Sequence, residues 1–188
     1  MPLTQLDDAP ALVLIDLQKG IVGMQLAHPG AAIVGRAARL AHAFREKKLP
    51  VVLVNVSGMA PGRTEAARPD LAAFPADWTE FAPELGRQPG DHVVTKQRVG
   101  AFLGTDLHAY LHQRGVTQVV LAGIASSAGV ESTARSAHDL GYNVTFVLDA
   151  MTDRSEEMHR HCAEKVFPRF GETTQTDDVL KLLNARRA

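Results

Sequence analysis

The chain has 188 residues, of which 45% are hydrophobic and 22% charged, and its formal net charge is −1 at pH 7. This length suits a single domain over residues 1–188, and the near-neutral charge gives no reason to expect a nucleic-acid partner. No stretch approaches the roughly 20 apolar residues that cross a bilayer, so we expect no membrane partner either.

Cysteine usage and the N-terminal sequence both bear on the cellular compartment. Cys162 is the single cysteine, which excludes an internal disulfide and a zinc site built from several cysteines. The opening stretch MPLTQLDDAP is acidic, whereas a secretory signal needs a basic start and a long apolar core. We therefore expect a cytoplasmic protein.

The first predicted elements are two apolar strands with a helix between them. ALVLIDL at 11–17 is too short for a convincing helix and is typical of a strand buried on both faces. Residues 31–48 place apolar groups at helical spacing and end in basic residues, which suit the negative end of the helix dipole. VVLVNV at 51–56 predicts the second strand.

The segment 57–91 interrupts this alternation. Its prolines and glycines break every periodicity, so it predicts a long excursion between the second and third strands. Loops of this length are usually functional lids or disordered segments. A lid over a binding site is therefore one of two open interpretations.

The rest of the chain returns to alternating strands and helices. This pattern predicts βαβ units with right-handed crossovers. The predicted fold class is α/β, a three-layer α/β/α Rossmann-like sandwich around a six-stranded parallel sheet. The further strands are predicted at 92–96, 117–123, 142–150 and around 172–174, and the helices at 105–114, 129–141, near 155–166 and from about 177.

Three residues fall at the edge where such a sheet binds ligands, beyond the carboxyl ends of its strands. Asp16 ends the first strand, Lys96 ends the third, and Gly129 lies beyond the fourth, where a helix opens. Each has an ordinary explanation alone, as a turn aspartate, a solvated lysine and a small residue at a helix start. Their coincidence at one edge favours an active site.

The order of three stretches resembles the isochorismatase-like cysteine hydrolases, which include nicotinamidases, N-carbamoylsarcosine amidohydrolases and isochorismatases. The stretches are LVLIDLQKGIV, VVTKQRVGAFLGTDL and LAGIASSAGVESTARSAHDLGYNVTFVLDAMTD. The resemblance covers nearly the whole chain outside 57–91. It implies a parallel α/β/α sandwich, a hydrolase acting on a small molecule, an Asp–Lys–Cys triad and a homo-oligomer such as a dimer or tetramer.

The resemblance also implies roles for individual residues. Asp16 and Lys96 match the family aspartate and lysine, and Gly129 matches the nucleophilic cysteine. A cis peptide is implied between Ile124 and Ala125, with the backbone N–H groups of Ala125 and Gly129 facing the substrate oxygen. Because glycine offers no nucleophilic atom, acyl-enzyme chemistry at position 129 is excluded.

Among the enzymes that the chain resembles, isochorismatases also lack the cysteine at this position, and they cleave a vinyl ether instead of an amide. That reaction needs an acid to protonate the enol ether carbon and water to add to the resulting oxocarbenium ion. Burial would raise the pKa of Asp16 and let it act as this acid, whereas a nearby Lys96 would lower that pKa. We expect Lys96 to orient the substrate or offset a substrate carboxylate.

The sequence allows three other interpretations of this site. An inactive small-molecule binding or scaffold protein stays open, as does amide hydrolysis by water that Asp16 activates. A serine nucleophile at Ser126 or Ser127 is disfavoured, because ASSAG lacks the outer glycine of a nucleophile elbow and the sequence shows no His–Asp pairing. Helix capping or hydrogen bonding is the expected role of both serines.

Substrate anchoring is predicted from arginines and aromatic residues. Arg63, Arg68 and Arg98 are candidates because a guanidinium binds a carboxylate through two hydrogen bonds, with a solvated surface as the alternative. Phe102 and Trp78 are candidates for an apolar wall, although core packing explains Phe102 equally well. The segment NVSGMAPGRTE lacks the glutamine-containing loop of isochorismatases, so the substrate is left open.

We expect no metal and no cofactor. By the resemblance, nicotinamidases bind a divalent ion through an Asp-x-His segment after the second strand, where this chain has Asn55-Val56-Ser57. His159, His161 and Cys162 form the densest ligand-like cluster, yet positions 159 and 161 point to different faces of a helix. A solvated helix face is the expected explanation of this cluster.

Overall fold

The computed structural model describes residues 3–67 and 69–186. Its strands are β1 (Pro10–Ile15), β2 (Val51–Val56), β3 (His92–Lys96), β4 (Gln118–Ile124), β5 (Asn143–Thr152) and β6 (Glu172–Thr174). Its α-helices are α1 (Lys19–Val22), α2 (Gly30–Glu46), α3 (Leu107–Gln113), α4 (Glu131–Asp139), α5 (Glu156–His161) and α6 (Thr176–Ala185).

The six strands form one sheet in the order β3-β2-β1-β4-β5-β6, and every neighbouring pair is parallel. The predicted α/β fold with a six-stranded parallel sheet is confirmed. The chain leaves β1 toward β2 on one side and reaches β4 on the other. The sheet therefore has a topological switch point between β1 and β4, where such folds form a crevice.

Helices cover both faces of this sheet. On one face, Val13 and Ile15 of β1 share a hydrophobic core with residues of α3, α4 and the turn at 162–166. On the other face α2 and α6 pack against the alternate residues, Leu12 and Leu14. Because successive strand side chains point to opposite faces, a strand covered on both sides must be apolar throughout, as β1 is.

The central strands approach each other closely where β4 passes β1. Gly123 has φ +124°, and a Cβ built on it would lie 2.1 Å from the carbonyl oxygen of Ile15. Only glycine tolerates both this conformation and this contact. The close approach brings the carboxyl ends of β1 and β4 side by side at the switch point.

Most predicted elements lie within two residues of their observed bounds, and the differences concentrate at the carboxyl edge. The helix predicted over 129–141 opens with a π-helical turn at Ser126–Val130, and α4 follows it. The helix predicted near 155–166 is α5 followed by a second π-helical turn, Cys162–Val166. The short helix α1 was not predicted. No helix within the described residues is both long and apolar enough to span a membrane.

Candidate active site

A cavity of about 610 Å³ lies at the carboxyl edge of the sheet. Asp16, Lys96 and Gly129 all contribute to its wall. Ile124 and Ala125, at the end of β4, lie on the same wall. The structure therefore brings together all five residues that the resemblance placed at the reacting centre.

Asp16 and Lys96 form a buried ion pair across the end of β2. Asp16 directly follows β1 and Lys96 ends β3, so the long lysine side chain spans the intervening strand. Lys96 Nζ lies 2.8 Å from Asp16 Oδ2 and donates a second hydrogen bond of 3.3 Å to the carbonyl oxygen of Arg98. Among the described residues, none hydrogen-bonds the other carboxylate oxygen, Oδ1, although it is buried.

The environment of Asp16 favours its protonated form. Burial raises its pKa from 3.8 to about 6, because a carboxylate loses its hydration inside the protein. The charge of Lys96 and its hydrogen bond act in the opposite direction but do not outweigh burial. Asp16 thus holds or releases a proton close to neutral pH, and Oδ1 is the oxygen left free to carry it.

The backbone at Asp16 is also unusual. Its φ of +52° lies in the left-handed region that non-glycine residues seldom adopt. Its N–H donates a 2.9 Å hydrogen bond to the carbonyl oxygen of Val54 on β2, which holds the residue at the sheet edge. Strained conformations of this kind cluster at functional sites.

Gly129 faces the ion pair from the π-helical turn Ser126–Val130. A Cβ built on Gly129 would lie 3.2 Å from Asp16 Oδ2 and 2.9 Å from Ile15 Cγ2. Any side chain at this position would therefore project onto Asp16. Just before the turn, the peptide bond between Ile124 and Ala125 is cis, as the resemblance implies.

Asp153 is a residue of this site that sequence reasoning missed. It is buried on the cavity wall, where Oδ2 accepts a 2.7 Å hydrogen bond from the Ser127 N–H and Oδ1 accepts one from the Arg154 N–H. The strand predicted over 142–150 ends at Thr152 in the structure. Had the strand been extended by two residues, Asp153 would have followed a strand end as Asp16 does.

The serines of the turn differ in their exposure. Ser126 is fully buried, and its Oγ lies 2.7 Å from His159 Nδ1 and 3.2 Å from the carbonyl oxygen of Thr152. Ser127 lies on the cavity wall and is held by Asp153 through its backbone. Hydrogen bonding, the expected role of these serines, is what the structure gives for Ser126.

The expectation of a solvated helix face at 159–162 is wrong for two of its three residues. His159 and Cys162 are buried, whereas His161 is exposed. Positions 159 and 162 are three apart and share the inward face of the helix. Burial and the nearby Glu131 carboxylate raise the pKa of Cys162 to about 12, which leaves its thiol unreactive. The described residues contain no cluster of three or more metal-ligating side chains.

Of the arginines predicted to bind the substrate, one lies on the cavity wall and another does not. Arg98 lies on the cavity wall and is half-buried, and Arg154, which was not predicted, lies on the wall and is exposed. Arg63 is exposed and does not contribute to the wall. Arg68 lies outside the described residues.

The two aromatic candidates also lie away from the cavity wall. Phe102 packs against the core and stacks on Tyr142, with ring centroids 6.0 Å apart. Trp78 stacks on Phe74 at 4.6 Å and covers Gly20, where even a Cβ would lie 1.9 Å from its ring. Trp78 thus anchors the later part of the 57–91 segment to α1.

The remaining cavity wall is mostly apolar, and part of it comes from the long segment. The lid interpretation of 57–91 stays a prediction, although several of its early residues contribute to this wall. These are Gly58, Met59, Ala60, Thr64, Ala66, Ala67 and Pro69. The other apolar residues are Ile21, Met24, Leu26, Val56, Val99, Ala128 and Met158.

The fold and this site define a class of protein, the parallel α/β proteins with an aspartate and a lysine paired at the switch point. The sequence profile of the isochorismatase domain matches residues 10–178. The chain therefore belongs to the isochorismatase family, whose characterised relatives include hydrolases.

Individual relatives cover nearly all of the chain. The isochorismatase family protein YwoC of Bacillus subtilis is 43% identical over 177 residues, or 91% of this chain and 92% of that protein. The solved structure of an isochorismatase family protein from Burkholderia thailandensis is 41% identical, with a TM-score of 0.91 over 96% of this chain and 98% of that one. Maleamate amidohydrolase of Pseudomonas putida is 29% identical over 93% of this chain and 86% of that enzyme.

Proposed function

We propose that this chain is a hydrolase that cleaves the vinyl ether bond of a small organic substrate, with Asp16 as general acid and water as nucleophile. The observation that carries the proposal is the carboxyl group of Asp16, which lies on the cavity wall with a pKa of about 6 and a free Oδ1. At pH 7 a group with this pKa is protonated in about a tenth of the molecules, enough for general acid catalysis.

The reaction needs one proton donor and one water. Asp16 gives its proton to the terminal carbon of the enol ether, and the C–O carbon becomes an oxocarbenium ion. Water adds to this cation and returns a proton to the Asp16 carboxylate. The resulting hemiketal collapses to a ketone and an alcohol, so the overall change is the addition of one water across the ether.

Lys96 and Gly129 support this chemistry without taking part in a bond. Lys96 holds Oδ2 of Asp16 and so leaves Oδ1 as the oxygen that carries the proton. Glycine at position 129 lets the turn Ser126–Val130 lie directly against Asp16 and Ile15, where even a Cβ would come within 2.9 Å of Ile15 Cγ2. We propose that the backbone N–H groups of Ala125 and Gly129 contact the substrate oxygen.

The charge of the cavity wall suggests the substrate class. Arg98 and Arg154 lie on a mostly apolar wall, and Lys96, the third basic residue there, is already paired with Asp16. A guanidinium pairs well with a carboxylate through two parallel hydrogen bonds. We therefore propose a small carboxylate with an apolar body, and isochorismate is the first compound to test.

The test is pyruvate release from isochorismate by the purified protein, with Asp16→Ala measured in parallel. The proposal expects release by the wild type and loss of it in the variant. Equal release by both proteins would remove Asp16 from the mechanism. No release by either would remove isochorismate and turn the search to other vinyl ethers of small carboxylates.

A second candidate is amide hydrolysis by a water that Asp16 activates as a base, and the similarity to maleamate amidohydrolase favours it. The two candidates predict opposite pH dependences. Acid catalysis by Asp16 declines as pH rises above about 6, whereas base catalysis increases over the same range. Ammonia release from maleamate, measured from pH 5 to 8, separates them.

Gly129→Cys adds a second distinction between these candidates. The new thiol would lie against Asp16, and a water-dependent amidase would change its rate without gaining new substrates.

An inactive binding protein, the remaining interpretation, is not favoured by relatives that are hydrolases. Turnover of any cavity ligand that depends on Asp16 would exclude it.

A further inference from the structure

His159 is a buried imidazole that the proposed chemistry does not use. It lies on α5, only 8% exposed, and its Nδ1 is 2.7 Å from Ser126 Oγ. Ser126 is the first residue of the π-helical turn Ser126–Val130. The imidazole therefore contacts the start of the turn that places Gly129 against Asp16.

Each end of this turn is held by a different group. At its start, Ser126 Oγ contacts both His159 and the carbonyl oxygen of Thr152, and Asp153 accepts the Ser127 N–H. At its end, Thr133 Oγ donates a 2.6 Å hydrogen bond to the carbonyl oxygen of Gly129. Without His159, the start of the turn would lose one of its two shortest side-chain contacts from outside, the other being the Asp153 carboxylate on the Ser127 N–H.

We propose that His159 is a positioning residue that, through Ser126, fixes the turn Ser126–Val130 beside Asp16. This inference rests on the proposed function for its catalytic consequence but not for its structural one. A shift of about 1 Å in groups that surround a reacting centre can cost about a hundredfold in rate. Among the described residues, the hydroxyl of Ser126 is the hydrogen-bond partner of the His159 imidazole.

The groups that face His159 determine its charge. The His28 ring lies at 5.1 Å between centroids, and Arg36 and Asp149 share with it a small cavity of about 330 Å³. Two carboxylates interact electrostatically with the imidazole: Asp153, which follows β5, and Glu156, which lies on α5 with His159. Burial lowers the pKa of His159, His28 lowers it further, and the two carboxylates oppose them. The imidazole is therefore neutral at pH 7.

This environment gives the positioning role a pH dependence. A group whose pKa is lowered by folding stabilises the folded site above its ordinary pKa, here 6.5, and that stabilisation is lost as pH falls through the lowered pKa. Protonation of His159 then places an unfavourable charge beside Ser126. We expect the turn to loosen on the acid side, which adds a decline in rate at low pH although Asp16 is fully protonated there.

Two substitutions at His159 separate positioning from mere packing. His159→Asn keeps a side-chain amide near the place of Nδ1 and cannot be protonated. His159→Ala removes the contact to Ser126. We expect His159→Ala to lower kcat tenfold or more with little change in KM, and His159→Asn to restore most of kcat while abolishing the acid-side decline. His161→Asn, an exposed histidine on the same helix, is the matched control and should behave as the wild type.

The decisive readout needs no substrate. In an Asp16→Asn background, which removes the titration of Asp16, the amide resonances of Ser126 and Ser127 are followed by NMR from pH 4.5 to 7.5. The inference expects these amides to titrate with the same midpoint as the imidazole of His159, and to stop titrating in Asp16→Asn/His159→Asn. The inference would be overturned if these amide resonances did not shift at the midpoint of the imidazole. It would also be overturned if they titrated equally with Asn at position 159. Loss of isochorismate turnover alone would count against the proposed function only.

Discussion

Two buried ion pairs in this protein each join a basic side chain to an aspartate, but their surroundings differ. Lys96 and Asp16 meet at the cavity with side chains 2% and 7% exposed, and Arg45 and Asp91 meet between α2 and the start of β3 with side chains 14% and 2% exposed. Both pairs join a basic side chain to a carboxylate at 2.7–2.8 Å. Only one of them borders the cavity.

The pairs differ in how completely the carboxylate is bonded. Both oxygens of Asp91 accept hydrogen bonds from the Arg45 guanidinium, at 2.9 and 2.7 Å, and Oδ2 also accepts the Gln88 N–H. Asp16 has one bonded oxygen and one buried oxygen without a partner. Burial of Asp16 with one carboxylate oxygen unbonded favours its protonated form.

One type of contact therefore serves two purposes. The geometry around Asp91 suits a structural link between α2 and the sheet. The folded-state pKa of Asp16, about 6 against an ordinary 3.8, means that its contribution to stability is fully present below pH 3.8 and is lost as pH rises through about 6. Asp16 is thus kept at some cost to stability near neutral pH, as reactive groups often are.

The largest expected effect comes from removing each carboxylate in turn. Asp16→Asn should lower kcat/KM for the vinyl ether substrate about a thousandfold, or ~4 kcal/mol, because an amide cannot donate the proton that the reaction needs. Asp91→Asn, the matched control in the other pair, should change kcat/KM by no more than about twofold once folded protein is compared. Steady-state kinetics of the two variants measures both. A similar loss in both would abolish the distinction between the pairs.

The next effect is on stability rather than on activity. Arg45→Met should lower the free energy of unfolding by about 3 kcal/mol, because it leaves the Asp91 carboxylate buried and unpaired. Urea unfolding measures it. Arg39→Met is the control on the same helix, since Arg39 pairs with Asp177 at an exposed site and should cost about 1 kcal/mol or less. Equal losses in the two variants would show that the buried pair has no special structural role.

A smaller effect is expected from adding one methyl group beside Asp16. In Gly129→Ala the new Cβ would lie 2.9 Å from Ile15 Cγ2 and 3.2 Å from Asp16 Oδ2, so Ile15 or the turn must shift to admit it. We expect kcat to decline about tenfold, or ~1.4 kcal/mol, with KM little changed. Adding Ile15→Leu, which removes the Cγ2 methyl and keeps the side-chain volume, separates the causes. If the double variant regains the wild-type rate, crowding against Ile15 was responsible and not the approach to Asp16.

The smallest effect is a shift of the pH profile. Lys96 lowers the pKa of Asp16 by its charge and its hydrogen bond, so Lys96→Met should raise that pKa above 6. The alkaline decline of kcat/KM should then move to higher pH. The pH–rate profile of the variant against the wild type measures this. A profile that moved to lower pH would contradict the assignment of the decline to Asp16.

The sequence predicted the sheet well because its strands are short apolar runs that can be buried only between two helical layers. It also placed Asp16 and Lys96 at one edge, since strand ends of a parallel sheet meet there. The partner of His159 could not be predicted, because the contact joins residues 33 positions apart through the π-helical turn. Asp153 was missed because strand lengths are uncertain by a residue or two.

The substrate wall was predicted less well than the reacting centre. Arg63, Phe102 and Trp78 were chosen by residue type, yet where each lies depends on how 57–91 and the loop after β3 fold. Phe102 packs toward the core and Trp78 covers Gly20, which no local pattern indicates. Arg154 was not predicted because β5 ends two residues later than the sequence indicated, at Thr152, and Arg154 lies just beyond that end.

The most direct test of the account is the protonation of Asp16 itself, which needs no substrate. The protein is labelled with 13C at aspartate carboxyl carbons, and the Asp16 resonance, assigned by its absence in Asp16→Asn, is followed from pH 3 to 8. We expect a titration with its midpoint near 6, because burial outweighs the effect of Lys96 on this carboxyl group. A midpoint at or below the ordinary value of 3.8 would mean that the Lys96 pair keeps Asp16 ionised, and it could not then serve as the acid.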